Sequence, residues 1–145
     1  MFGKQEKLNV SVSESKKYSI DLCLDFIDHS KDNYIPVIDR LQENESFEIK
    51  MDSHGCFHHS QEKITIRRLQ NEFSITWGEE TKTLTQSDIE AVRKFEIELN
   101  YMKDAGCTTA DTYVVTYNKE SKKITDGSCS WKGYQYLRKQ LFGND

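Results

Sequence analysis

Proline is almost absent from this chain, and glycine is scarce: one Pro and seven Gly among 145 residues leave no room for a long linker. One domain over residues 1–145 is therefore expected, with residues 1–6 as a flexible N-terminus. Long apolar runs are missing too. Nothing approaches the roughly 18–20 apolar residues of a membrane helix, so no membrane partner is expected. The opening MFGKQEKLNV lacks an apolar core of the secretory kind, which predicts a cytoplasmic protein. Removal of a signal upstream of Met1 would instead predict a periplasmic or exported one. Cysteine is sparse, at Cys23, Cys56, Cys107 and Cys129, with no CxxC spacing. Basic residues do not gather into a stripe, and 20 of them face 24 acids for a net charge of −4. Nucleic-acid binding is not expected from that balance, and a basic partner is. No glycine-rich phosphate loop is present, which argues against a doubly wound nucleotide fold.

What is present is aromatic and alternating. Two Trp, seven Tyr and seven Phe argue for a packed core rather than disorder. KLNVSV and YSIDLCLDFI alternate apolar with polar, the period of half-buried strands, and SESKK between them reads as a hairpin connection. SFEIKMD, EKITIRRL, EFSITW and KTLT continue as an antiparallel meander, with Phe47, Ile49, Met51, Ile64, Ile66, Phe73, Ile75 and Trp77 inward. NYIPVIDRLQEN admits a short helix with Pro36 in its first turn and Val37, Ile38 and Leu41 inward.

Ile89, Val92, Phe95, Leu99 and Met102 recur at helical spacing. Ser87 and Glu90 form an S-x-x-E capping box in front of them, and Gly106 follows as a stop. TYVVTY and KKITDG form a hairpin across NKES. Ser130 then caps a helix bearing Trp131, Tyr134, Leu137 and Leu141, ending before Gly143. The expected class is α+β: a mainly antiparallel sheet of hairpins and a meander, one face covered by two helices at about 87–103 and 131–142.

The densest chemistry lies in SHGCFHHS, residues 53–60. His54, Cys56 and His58 are spaced by two and share a face if the strand is continuous, which suits zinc. Gly55 breaks that face if it turns the chain. Cys56 lacks the strand-to-helix elbow and distant base of a thiol nucleophile, so no catalytic residue is expected. Cys107 and Cys129 flank the late hairpin. A bond between them would close a loop of about twenty residues, worth roughly 3 kcal/mol, whereas a reducing compartment keeps two thiols.

Tyr113, Tyr117, Tyr134 and Tyr136 lie near Lys122, Lys123, Lys132, Arg138 and Lys139, but core packing accounts for the alternating ones without a nucleic acid. No acid pair stands in the contrasting environments that acid–base catalysis needs. The leading expectation is a non-enzymatic protein-binding module without a cofactor, of inhibitor or immunity type. It would occlude a basic toxin or enzyme through Asp21, Asp25, Glu43, Glu45, Glu79 and Glu80. The alternatives are a zinc-binding protein using His54, Cys56 and His58, and a sensor of small ligands or nucleic acid with an aromatic pocket between sheet and helices.

Overall fold

The computed structural model describes residues 33–55, 59–102, 110–128 and 130–143. The expected first hairpin, Asp21, Asp25, all four cysteines, His58 and Gly106 lie outside them.

A short helix α1 (Val37–Arg40) is followed by strands β1 (Ser46–His54), β2 (His59–Leu69), β3 (Glu72–Trp77) and β4 (Glu80–Thr83). Helix α2 (Gln86–Asn100), strands β5 (Ala110–Tyr117) and β6 (Glu120–Asp126), and helix α3 (Gly133–Phe142) follow among the described residues. The six strands form one sheet in the order β4-β3-β2-β1-β5-β6, and every neighbouring pair is antiparallel. The class is α+β, as the alternation predicts.

Register follows from the alternation because a slip of one residue would turn every side chain over. Phe47 pairs with Ile66, Ile49 with Ile64 and Val115, Ile64 with Trp77, and Ile66 with Ile75. These side chains share one face and are buried, apart from the partly buried Val115. The helices lie on that face. Val37, Ile38 and Leu41 come from the α1 region, Val92, Phe95 and Leu99 from α2, and Tyr134, Leu137 and Leu141 from α3. The opposite face presents Glu48, Lys50, Lys63 and Thr65, all exposed or half-buried.

Three elements start or turn differently from the sequence reading. Helix α2 is capped by Thr85, not Ser87. The Thr85 side chain accepts from the Asp88 backbone N–H, while the Asp88 carboxylate accepts from the Thr85 N–H. The box is thus T-x-x-D, which the sequence also spells, two residues upstream of S-x-x-E. Helix α3 starts at Gly133 without a side-chain cap, so Ser130 does not serve as one. The β5–β6 connection is a two-residue turn, with Tyr117 paired to Glu120 and positive φ at Asn118 and Lys119. A primed turn of this kind matches the strand twist, and it replaces the broader turn expected over NKES.

Candidate functional site

Polar residues at inward positions mark one end of the sheet. Ser60, Ser53, Asp111 and Asp126 form a cross-strand row over β2, β1, β5 and β6. The next row is Glu62, Met51, Tyr113 and Ile124. Helix α3 and the segment before it bring Trp131, Lys132, Tyr134 and Gln135 over these rows. A cavity of about 210 Å³ remains between them, bordered by Glu62, Asp111, Tyr113, Trp131 and Tyr134. Ser60, Lys132 and Gln135 also line it and are exposed, so it opens to solvent on that side.

Its walls are held firmly. Trp131 stacks on Phe95 with ring centres 5.5 Å apart and meets Tyr113 edge-on at 5.6 Å. Its indole Nε1 donates to Glu98 at 3.1 Å. Tyr134 packs against Trp77 at 4.5 Å. One oxygen of Glu62 accepts from Trp77 Nε1 at 2.6 Å, Tyr134 Oη at 3.3 Å and Arg138 Nη1 at 3.3 Å. Burial, then the charges of Asp111, Asp126 and Glu62, push the Tyr113 phenol far above its ordinary value. Burial and Glu62 do the same to Tyr134, so both remain neutral phenols.

Asp126 is buried, and its Oδ1 accepts from the Ser128 backbone at 2.8 Å. Asp111 differs. Its Oδ1 is shielded from solvent and has no hydrogen-bond partner among the described residues. A buried acceptor left unmade costs about 1–3 kcal/mol, more when charged, so this atom favours an incoming donor.

The acids expected to meet a partner are divided. Glu79 and Glu80 stand at the β3–β4 turn, the end of the sheet that also holds the cavity. Glu43 and Glu45 precede β1 at the opposite end. Glu45 is engaged internally, accepting from Tyr117 Oη at 2.6 Å and the Gln42 backbone at 2.8 Å. The hydroxyl and amide bonds hold its carboxyl below the usual range.

Within SHGCFHHS, the described residues end β1 and begin β2. His54 lies directly across from His59, and Gly55 follows the strand. At this end of the β1–β2 pair, Asp52, His54 and His59 bring possible ligand atoms within 4.8 Å of one another. Cys56 and His58, the other two residues of the expected set, lie outside the described residues.

Glu62, Asp111 and Trp131 are absent from the sequence-derived site. A signal for the two acids exists. Counting back by two from Ile64 and from Tyr113 puts Glu62 and Asp111 at inward positions, where an isolated acid is costly. No helix among the described residues is long and apolar enough to cross a membrane. No protein-family model and no curated protein sequence matches the chain.

Proposed function

We propose that this protein is a non-enzymatic binding module whose cavity receives a lysine or arginine side chain of a basic protein partner. The observation that carries the reading is the buried Oδ1 of Asp111, which has no hydrogen-bond partner among the described residues, at the wall of a cavity lined by Tyr113, Trp131 and Tyr134. A carboxylate supplies a charged acceptor, and aromatic faces attract cations in addition. The volume suits the end of one side chain rather than a nucleotide, because small-molecule sites run about 300–1,000 Å³. Glu79 and Glu80, at the same end of the sheet, would add to the field that draws in a basic surface.

The test uses N-acetyl-arginine amide and N-acetyl-lysine amide as probes, followed through the indole N–H signal of Trp131. Saturable shifts at Trp131 are expected, with affinity reduced about tenfold or more in Asp111→Asn, since bonds to charged groups are worth about 1.5–3 kcal/mol. Equal affinity in the variant, or no shift at Trp131, overturns the reading.

A further inference from the structure

We infer that Asp52, His54 and His59 form a binding site for a divalent transition metal, with zinc as the type, on the face of the sheet opposite the cavity. Asp52 and His54 are two apart on β1 and therefore share a face. Antiparallel pairing sets His59 across from His54, and Gln61 across from Asp52. The three ligand residues thus come from one two-strand ladder.

The side chains converge on one atom. His54 Nε2 lies 2.7 Å from Asp52 Oδ1, and His59 Nε2 lies 3.0 Å from the same oxygen. The imidazole rings stack, centres 4.2 Å apart and 13° from parallel, and each brings its Nε2 to that oxygen. Gln61 Nε2 donates to the other carboxylate oxygen at 2.8 Å. Oδ1 is therefore left to the two histidines, and the carboxylate is held in place from behind, as outer partners do at metal sites.

Two imidazoles and one carboxylate suit zinc and its d-block neighbours, whereas calcium and magnesium favour all-oxygen sets. Zinc bonds of about 2.0–2.1 Å at tetrahedral angles place ligand atoms roughly 3.3 Å apart. An ion entering here needs His54 Nε2 to move about 0.6 Å and His59 Nε2 about 0.3 Å away from Oδ1, and the two exposed rings to turn out of their stack, because a metal lies in the plane of each imidazole that ligates it. Each imidazole ligates through the lone pair of Nε2, with its ring hydrogen on Nδ1. Three protein ligands leave a fourth position open toward solvent, since His54 and His59 are both exposed. That is the arrangement of a site that exchanges its outer ligand.

The experiment is calorimetric titration of the full chain with zinc chloride, paired with the absorption spectrum of the cobalt(II) form. One equivalent should bind, and millimolar magnesium should not compete. His54→Ala, His59→Ala and Asp52→Asn should each weaken binding by more than about tenfold. Cys56→Ser and His58→Ala should retain it, and the cobalt spectrum should lack a thiolate charge-transfer band. Binding that survives His59→Ala but is lost in Cys56→Ser would show that the ion uses the spacing-by-two set and would overturn the assignment, as would no binding at all. All three ligands are on the sheet surface, so circular dichroism of each variant separates lost binding from lost fold.

Discussion

Glu96 is the most consequential charge in the core. It sits on α2 with 2% of its surface exposed and accepts from the backbone N–H groups of Val37 and Ile38 at 2.6 and 3.0 Å. It therefore ties the start of α1 to α2. Burial raises its carboxyl from 4.5 to about 7, and the two amide bonds only partly offset that. The folded protein thus holds a proton that the unfolded chain releases between pH 4.5 and 7, so this group's contribution falls as pH rises across that interval. The full loss is roughly 3 kcal/mol. Urea unfolding at a series of pH values should show the decline, and Glu96→Gln should flatten it.

A second position is steric. A Cβ on Gly133 would lie 2.1 Å from the Trp131 ring, so glycine is required for that ring to cover the start of α3. Gly133→Ala should displace Trp131 from Phe95 and Tyr113 and destabilise by about 1–3 kcal/mol. Near-ultraviolet circular dichroism and thermal melting would check this.

At the level of elements, Lys82 joins three of them. Its Nζ donates to the Leu141 carbonyl at 2.8 Å, near the end of α3, and lies 3.0 Å from Asp88, in the first turn of α2. Burial alone would raise the Asp88 carboxyl. The bonds from Thr85 and Lys82 outweigh it and bring the carboxyl below its ordinary value. That stabilisation is present above the unfolded carboxylate range and is lost as acid protonates the group. Lys82→Ala leaves both acceptors short of a partner and should cost about 1–3 kcal/mol by denaturant unfolding. The β5–β6 turn offers the opposite change. Lys119 has φ +68°, a left-handed conformation that costs a side chain about 1 kcal/mol, so Lys119→Gly should leave stability unchanged or slightly raised.

For the molecule as a whole, the sheet separates two chemistries. Its covered face carries the core and, at one end, the cavity with Asp111. Its other face carries Asp52, His54 and His59 at that same end. Residues 51 to 54 alternate between the two: Met51 and Ser53 line the cavity, while Asp52 and His54 turn away. Saturating zinc should therefore leave the affinity for arginine amide in the cavity within about twofold, because rigid strands hold the opposing side chains apart. Parallel titrations with and without the metal would measure it.

The sequence by itself determined the strand periods, the inward faces and the helical stripes, because alternation and 3.6-residue spacing are local properties of a buried face. It carried the inward acids Glu62 and Asp111 in the same parity. Tertiary structure decided which acids met. Glu79 and Glu80 went to one end of the sheet and Glu43 and Glu45 to the other, because antiparallel strands send successive turns to opposite ends. It also brought His59 across from His54, beside Asp52, a grouping that the spacing along the chain does not show. Ligands across a strand pair are set by register, and register is fixed only when the whole buried face packs.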